Sequence, residues 1–540
     1  MSPTPTPTTR AAHGWGFQTD AATPQEADGV IRLLAVRFGA DAVWSAPLPP
    51  PAPAGDHPVS IPVALQAILT DDVETRRHHA VGRSFTDLVA LRETGVTQIP
   101  DLVACPSSPQ EVADVLGWCT DIGLTCIPFG GGTSVVGGVT PPAGDQPVLS
   151  MQLRAMDRVV EVDQVSRAAL IQAGATGPVL EQQLRRHDLT MRFFPQSFEM
   201  STLGGWIATR AGGHYATGPV HIDDLVQAID AQTPAGRWES RRLPGSGAGP
   251  SPDRLLLGSE GTLGVITSAW VRLQDRPRFK ASTAIRFATF AAALQALRPL
   301  VQSGLRPSNC RILDPTEAAL SGAGDGSLAV MMVAAESATV DVQHDMAAMV
   351  QLLADHGGKA AAAASGESPN RPAVEQTRPD QTRPDQIWRA SFLRAPYLRD
   401  AMVDAGMIIE TFETATTFDR LDTLVHDVMR VTTQAVTEIC GDGIVTCRIT
   451  HAYPDGAAPY FTVIAPGRRG ARVEQWRQIK SAASQALIDA GGTITHHHAV
   501  GRDHRPWYDQ QRPDLFAQAL GAVKQHLDPA GILNPGVLLG

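Results

Sequence analysis

Residues 128–138, PFGGGTSVVGG, place five glycines within eleven positions, and the interpretation of the chain starts from them. Three of the glycines are consecutive, and Thr133 and Ser134 follow directly. Glycine reaches positive φ at little cost, so backbone N–H groups in such a run can converge on one anion. The stretch lacks the ending of a nucleotide P-loop, and Val135 stands where GxGxxG needs its third glycine. It predicts a phosphate-binding loop of another kind, with an ordinary turn after a buried strand as the alternative.

A strand–helix–strand unit leads into this glycine loop. The apolar run at 100–105 predicts a strand, and the next helix should begin after Ser108 and end at Gly123. A second predicted strand, at 125–128, leads directly into the glycine loop. Another strand, at 148–151, follows instead of a helix, which disfavours a Rossmann unit because that fold opens a helix directly from its loop.

Two later stretches share the same mixture of small residues and hydroxyl groups. They are residues 194–213, FPQSFEMSTLGGWIATRAGG, and residues 258–267, GSEGTLGVIT. Small residues beside hydroxyl groups suit a backbone pressed against a flat ligand. A tight contact between a helix and a sheet would explain the first stretch equally well.

The composition changes after the third stretch, and alternating strands and alanine-rich helices predict a second lobe. Residues 360–386 contain a tandem TRPDQ repeat without hydrophobic periodicity, which predicts a mobile loop. The predicted organisation is an N-terminal tail and helical region, a first domain, a cap domain and a C-terminal return to the first domain, at 1–94, 95–276, 277–490 and 491–540.

Polar residues cluster at two further places. The segment 78–94 carries adjacent histidines and several arginines, and we expect a solvated surface because neighbouring histidines lack metal-ligand spacing. His496, His497 and His498 are also consecutive. Neighbours on a strand alternate faces, so all three cannot reach one point from a regular strand. One or two of them would act in a site, and a metal site is an open alternative.

Composition excludes several classes of protein. The 540 residues carry 45 basic and 55 acidic side chains, a net charge of −10, which is the wrong sign for a nucleic-acid-binding protein. The six cysteines form no CxxC motif and predict free thiols in a reducing compartment. No apolar run is long enough to span a bilayer, and the Pro/Thr-rich start predicts a disordered tail without a signal core. We expect a cytoplasmic, soluble protein.

Together these stretches resemble the FAD-binding PCMH-type flavoproteins of the vanillyl-alcohol-oxidase superfamily, and within it the alkylglycerone-phosphate (alkyldihydroxyacetonephosphate) synthases. The resemblance runs from the GWG at residue 14 to the C-terminus. Its most specific segments are FGGGTSV, STLGGWIATRAGG, GSEGTLGVIT, YLRD, ETFETATTFDR, TCR and THHHAVG. Gln196 and Phe198 depart from the aspartate and leucine of the synthases. The resemblance implies an α+β fold with two lobes, a PCMH-type FAD-binding domain and a cap domain whose antiparallel sheet is flanked by helices.

The resemblance also implies which residues would bind FAD. The glycine loop would wrap the pyrophosphate, and the two later stretches would follow the ribityl chain and close on the cofactor from the other side. The loop contains no histidine for covalent attachment, so we expect non-covalent FAD. The implied FAD-binding residues are Phe129, Gly130, Gly131, Gly132, Thr133, Ser134, Val135, Gln196, Ser197, Ser201, Thr202, Thr209, Arg210, Ala211, Gly212, Glu260, Gly261, Thr262, Leu263, Gly264, Val265 and Ile266.

The activity implied by the resemblance is redox-neutral. Such a synthase exchanges the acyl group of acyl-dihydroxyacetone phosphate for a long-chain alcohol in ether lipid synthesis, with the flavin as a covalent electron sink. By resemblance, Tyr460 is the catalytic phenol, which can exchange protons if its pKa is lowered. Arg311 and the three histidines are also implied to be catalytic, and Arg399 is implied to bind substrate. Arginine suits this role because its planar fork binds oxyanions.

Other readings stay open from the sequence. A flavin-dependent oxidase or dehydrogenase of a 2-hydroxy acid shares the FAD domain, although its histidine motif is usually closer to GEHGIG. A flavin-binding protein without catalysis is a further alternative. The expected partners are a small lipid-like or hydroxy-acid substrate, peripheral contact with a membrane and a second copy in a homodimer, without nucleic acid.

Overall fold

The structure is a computed structural model that describes residues 10–53, 59–215, 217–218, 221–360 and 384–539. The predicted tail at 1–9, part of the proline-rich linker before residue 59 and most of the loop predicted at 360–386 lie outside the described residues. Within that predicted loop, the structure assigns strand to Ala360 and begins a long helix at Pro384, so order extends further at both ends than expected.

The helices follow apolar periodicity and capping signals, as Ser108 shows by accepting a hydrogen bond from the backbone N–H of Glu111 at 3.2 Å. Gly123 then ends that helix in the left-handed conformation, with φ of 69°. The α-helices of the described residues are α1 Pro24–Phe38, α2 Val73–His78, α3 Phe85–Val89, α4 Pro109–Ile122, α5 Gly177–Arg185, α6 Leu203–Thr209, α7 Ile222–Leu225, α8 Asp253–Leu256, α9 Phe290–Gln302, α10 Pro315–Leu320, α11 Gln343–Asp355, α12 Pro384–Asp404, α13 Phe418–Cys440, α14 Arg472–Asp489, α15 Arg505–Gln511 and α16 Asp514–Leu527.

Two sheets form the first lobe, in agreement with the predicted FAD-binding fold. A four-stranded sheet has the order β1-β2-β4-β3, with β2 and β3 both parallel to β4. A five-stranded antiparallel sheet has the order β5-β6-β10-β8-β9, and β7 pairs with β11. The strands are β1 Leu69–Thr70, β2 Leu102–Ala104, β3 Thr125–Phe129, β4 Val148–Gln152, β5 Val159–Asp163, β6 Ala168–Gln172, β7 Leu189–Thr190, β8 Val226–Thr233, β9 Gly236–Glu239, β10 Val265–Arg272 and β11 Gln274–Asp275.

The second lobe is built on one antiparallel sheet, as predicted for the cap. Its order is β15-β12-β14-β13-β18-β19-β16, and β17 also pairs with β19. Helices α9, α11, α13 and α14 pack against it and complete its core. The strands are β12 Phe279–Phe287, β13 Asn309–Leu313, β14 Ala329–Ser337, β15 Lys359–Ala360, β16 Met407–Glu413, β17 Thr416–Thr417, β18 Ile444–Ala452 and β19 Gly456–Pro466.

The expectation that segment 78–94 is solvated is wrong. His79, Arg83 and Arg92 are each at most 6 % exposed. His79 lies against the ring of Phe129, with centroids 4.6 Å apart, and shares a 2.7 Å hydrogen bond with Gln152. Burial lowers the pKa of His79 to about 4, so the imidazole is neutral and can support the glycine loop from behind.

Both ends of the chain pack against distant parts of the fold. Phe85 in α3 and Leu34 in α1 belong to the hydrophobic core of the cap. Leu520 and Leu527 of the C-terminal helix belong to the core of the first lobe. Lys524 anchors this helix by donating to the carbonyl oxygens of Thr262 and Leu533 at 2.8 and 2.9 Å.

Candidate functional site

A cavity of about 690 Å³ is lined by residues of both lobes. All seven predicted residues of the glycine loop line it, as do most predicted residues of the two later stretches. The predicted residues that line it are Phe129, Gly130, Gly131, Gly132, Thr133, Ser134, Val135, Gln196, Ser197, Ser201, Thr202, Thr209, Ala211, Gly212, Glu260, Gly261, Gly264, Ile266, Arg311, Arg399, Tyr460, His497 and His498.

The remaining predicted residues do not line the cavity, namely Arg210, Thr262, Leu263, Val265 and His496. Arg210 is turned outward and pairs with Asp223 at 2.6 Å. Thr262 is 1 % exposed and donates its hydroxyl to the carbonyl of Ser259 at 2.7 Å. Leu263 and Val265 are completely buried in the core of the first lobe. Sequence proximity to a cavity-lining residue therefore does not place a side chain in the cavity. Of these five residues, only Val265 lies on a strand, where its neighbour Ile266 faces the other side.

The glycine loop is pressed against the second stretch. A Cβ on Gly130 would lie 3.5 Å from Cβ of Thr202, and one on Gly131 would lie 2.9 Å from Cα of Ser201 and collide with the carbonyl of Met200. Gly132 has φ of +61°, which favours glycine. The loop therefore needs glycine both for space and for conformation, which is what a backbone cradle for an anion requires.

Glu260 connects the third stretch to the segment after the histidines. Its carboxylate accepts the backbone N–H groups of Val500 and Gly501 at 2.9 and 2.8 Å. Burial raises the pKa of Glu260 to about 7, although these two hydrogen bonds oppose the shift. Asn534 donates to the carbonyl oxygens of Glu260 and Gly138 at 2.8 and 3.0 Å, so the C-terminal segment supports the same wall.

Three guanidinium groups reach the cavity from the cap and from α12. Arg311 is 2 % exposed and lies over the ring of Trp388 at 4.7 Å, and burial lowers its pKa to about 9. Arg399 donates to the carbonyl of Arg83 at 2.9 Å. Arg448 pairs with Glu317 at 2.7 Å.

Each of these three arginines has a buried Nε without a hydrogen-bond partner among the described residues. Such unsatisfied donors around a cavity fit an anionic ligand.

Tyr460 lies among these cations on the sheet of the cap. The guanidinium of Arg448 lies 3.9 Å from the centre of its ring, and the rings of His498 and His497 lie 5.4 and 6.1 Å away. Burial raises the pKa of Tyr460, whereas Arg448 and Arg399 lower it less strongly. The sequence allowed proton exchange by this phenol on the condition of a lowered pKa, and the net direction here is upward. Tyr460 is therefore protonated at neutral pH and is suited to donating a proton first.

The histidine segment is organised by one buried carboxylate. Glu413, at the end of β16, is completely buried and accepts the backbone N–H groups of His496, His497 and His498, the last two at 3.1 and 2.8 Å. The hydroxyl of Thr495 donates to it at 2.7 Å. Burial favours the protonated acid, but electrostatic interactions with the imidazoles of His498 and His496 and these hydrogen bonds lower the pKa of Glu413 overall. The three histidines thus lie on a turn around an anion, and not on a strand.

Among the described residues, one group of three side chains has the spacing to hold a metal ion. Ligand atoms of His451, His496 and His497 lie within 4.8 Å of one another. However, the ring nitrogens of His451 already share hydrogen bonds with the hydroxyl of Thr450 and the carbonyl of Gly213, at 3.0 and 2.9 Å. A metal would have to displace one of these contacts. We therefore interpret the group as hydrogen-bonded imidazoles and not as a metal site.

The cavity fits FAD in two respects. The glycine loop supplies a backbone cradle without side chains, as the diphosphate of a dinucleotide requires. The unpartnered guanidinium donors lie among the residues from the cap. An anion-binding wall and a separate set of cations in one cavity match a cofactor and a charged substrate bound together.

Sequence reasoning missed several residues of this site. Arg448 belongs to the TCR segment and Glu413 to the ETFET segment, but neither received a role. His451 and Tyr453 were not singled out at all. Their contacts join positions far apart in the chain, such as the 83 residues between Glu413 and His496. Its position as an acidic residue in a segment that matched the family was the sequence signal for Glu413.

We expect the substitution Glu413→Gln to lower turnover by about 100-fold or more while FAD remains bound. Glutamine keeps the size of the side chain, but its NH₂ group faces N–H donors and the negative charge beside the histidines is lost. Steady-state kinetics together with the flavin-to-protein ratio would measure the effect.

Glu410→Gln is the matched control for this substitution. Glu410 is buried on the same strand and pairs with Lys480 at 2.8 Å, but it does not line the cavity. We expect this control to lower thermal stability and to leave turnover close to normal. Equal losses of turnover in both variants, in proportion to their loss of stability, would contradict a specific role for Glu413.

Comparison with known proteins agrees with this geometry. Residues 100–240 match the family described as FAD binding domain, and residues 276–538 match the C-terminal domain of FAD linked oxidases. The alkyldihydroxyacetonephosphate synthase of Dictyostelium discoideum is 29 % identical over 497 residues, covering 87 % of this chain and 78 % of its own. That of Caenorhabditis elegans is 29 % identical over 495 residues, covering 87 % and 81 %.

A solved structure extends the similarity to the fold. The crystal structure of an alkyldihydroxyacetonephosphate synthase superposes with a TM-score of 0.76 at 25 % sequence identity. The superposition covers 97 % of this chain and 98 % of that one. The similarity thus includes both lobes.

Proposed function

We propose that this chain, which matches the FAD binding domain and the C-terminal domain of FAD linked oxidases over residues 100–240 and 276–538, is an FAD-dependent enzyme of the alkylglycerone-phosphate synthase type. It would exchange the acyl group of acyl-dihydroxyacetone phosphate for a long-chain alcohol. The observation that carries the proposal is a set of three guanidinium groups, those of Arg311, Arg399 and Arg448, in the cavity that Tyr460 and the glycine loop also line. A substrate with a phosphate and a departing carboxylate needs several cations, whereas a hydroxy acid presents only one anionic group.

The long chains of the substrates would lie in an apolar arm of the same cavity. This arm is formed by α1, α12 and strands of the cap, through Val30, Leu33, Leu34, Phe38, Met402, Ile409, Ile444 and Ile464. Leu33 lines the arm and is also 72 % exposed, so the arm reaches the surface at α1. Val36 on the same helix is 86 % exposed. Exposed apolar side chains at this opening support peripheral contact with a membrane, from which a long-chain alcohol could enter.

Bound FAD would supply an electron sink for the reacting carbon. The side chains of the protein would perform the remaining steps. Arg311 and Arg399 would hold the phosphate and the departing carboxylate, because guanidinium groups remain charged and bind oxyanions through two N–H donors. Tyr460 would donate a proton to the leaving group, and the adjacent His497 or His498 would accept the proton removed from the substrate.

Among the described residues, no helix is both long enough and apolar enough to cross a membrane. Membrane contact in this proposal is therefore limited to the surface around α1.

The activity is tested with purified protein, acyl-dihydroxyacetone phosphate and a long-chain alcohol. We expect release of a fatty acid and formation of an ether product, with the flavin spectrum unchanged at the end. Anaerobic addition of 2-hydroxy acids should not bleach the flavin. Bleaching by a 2-hydroxy acid, without release of fatty acid from the acyl substrate, would replace this function with that of a dehydrogenase. The same preparation tests the binding mode, since non-covalent FAD leaves with the supernatant after acid precipitation.

A further inference from the structure

A chain of hydrogen bonds leads from His497 in the cavity through His496 and Tyr453, two residues that have no role in the preceding proposal. The Nδ1 atoms of His497 and His496 lie 2.9 Å apart. The Nε2 atom of His496 lies 2.6 Å from the hydroxyl oxygen of Tyr453. His497 lines the cavity, whereas His496 and Tyr453 do not. His496 therefore joins a residue of the cavity to one outside it through both of its ring nitrogens.

The outer end of this chain lies at a surface turn. Tyr453 follows strand β18 and begins the turn into β19, where its backbone N–H donates to Gly456 at 2.8 Å. Its side chain is only partly buried, and the next two residues, Pro454 and Asp455, are exposed. A proton that reaches the hydroxyl of Tyr453 can thus pass to water or to a nearby carboxylate.

The environment keeps the members of this chain uncharged. Burial lowers the pKa of His496 and His497 well below the usual value, with further lowering by neighbouring imidazoles. Burial raises the pKa of Tyr453 well above its usual value. The titratable and charged groups around them are His221, His451, His498, Glu413, Asp223, Asp224, Asp455, Arg448 and Tyr460. A neutral imidazole has one donor nitrogen and one acceptor nitrogen, so it can receive a proton on one side while releasing another on the opposite side.

We propose that His497, His496 and Tyr453 form a proton relay between the cavity and solvent. His497 accepts the substrate proton at Nε2 and passes its Nδ1 proton to Nδ1 of His496. His496 passes its Nε2 proton to the oxygen of Tyr453, which releases its own hydroxyl proton to water. One proton enters and one leaves, both imidazoles change tautomer, and every group remains neutral.

The relay rests on the proposed function, and that function explains how it is reset. In a redox-neutral exchange, the proton removed from the substrate in the first half of the reaction is returned in the second half. Running the relay backwards then restores both tautomers without rotation of either ring.

Tyr453→Phe tests the relay because it removes only the hydroxyl group. We expect turnover to fall by about 10- to 100-fold, with FAD content and KM for the acyl substrate close to normal. The ratio of turnover in H₂O to that in D₂O should rise, because proton transfer becomes rate-limiting. Imidazole added to the buffer should restore part of the rate.

Tyr508→Phe is the matched control, since Tyr508 is also partly buried but lies outside the relay and the cavity lining. We expect the Tyr508→Phe substitution to change none of these quantities.

Normal turnover and a normal isotope effect in Tyr453→Phe would overturn the relay while leaving the proposed function in place. A wild-type protein that releases no fatty acid would overturn the proposed function, and the relay would then be judged by ¹⁵N NMR of its histidine rings. The relay predicts that Tyr453→Phe shifts the ring resonances of both His496 and His497, because their tautomers are linked. Unchanged ring resonances would overturn it.

Discussion

Gly131→Val should yield a folded protein that does not retain FAD. The new side chain would collide with the carbonyl of Met200 and would lie 2.9 Å from Cα of Ser201 at its first carbon. These neighbours are backbone atoms, which leave little room to move. An overpacking cost of about 3 kcal/mol corresponds to a loss of FAD affinity of about 100-fold. The ratio of flavin absorbance to protein absorbance measures the result, and circular dichroism verifies folding.

Gly117→Ala serves as the control for this substitution. Gly117 lies within α4, where an added Cβ would meet no atom within 4 Å. We expect normal FAD content and a gain in stability of about 0.5–1 kcal/mol, because alanine restricts the unfolded chain more than glycine does. A Gly131→Val protein that purifies with wild-type FAD content would refute the role assigned to the glycine loop.

Tyr460→Phe should remove most of the turnover while FAD remains bound to the protein. The substitution keeps the ring beneath Arg448 and removes only the hydroxyl group. Loss of a positioned general acid typically lowers the rate by about 10²- to 10⁴-fold. We expect this loss in turnover, with little change in KM, because the neighbouring guanidinium groups still bind the substrate. Steady-state release of fatty acid, normalised to bound FAD, is the measurement.

Tyr397→Phe is a suitable comparison for the loss of a buried phenol. Tyr397 and Tyr460 are both 6 % exposed, but Tyr397 does not line the cavity. Its variant should show nearly normal turnover. If both variants lose turnover equally, the effect of Tyr460 is one of packing and not of proton donation.

Local signals explain why much of the fold was predicted. Caps such as Ser108 and stops such as Gly123 act within one turn of a helix, so they can be read from a few neighbouring residues. The three stretches rich in glycine and hydroxyl residues were predicted to meet, and the structure brings Gly131, Thr202 and Gly261 to one cavity. The cap sheet is antiparallel, as the resemblance implied.

Burial of polar residues was predicted less well. The arginines and histidines of segment 78–94 were expected at the surface, but Arg83 and His79 are buried behind the glycine loop. The sequence also left the direction of the pKa shift of Tyr460 undecided, since it depends on how deeply the phenol lies. Neither the depth of a side chain nor its distant neighbours can be read from a short stretch of sequence.

The sequence by itself determined the order of the elements, the glycine cradle and the resemblance to a family of flavoproteins, because each depends on residues close together in the chain. Only the tertiary structure decided which side chains share the site. Glu413 meets the histidine segment across 83 to 85 residues, and Glu260 meets Val500 across 240. Such contacts depend on how two lobes close around one cavity, and burial there sets the protonation of Tyr460 and the histidines.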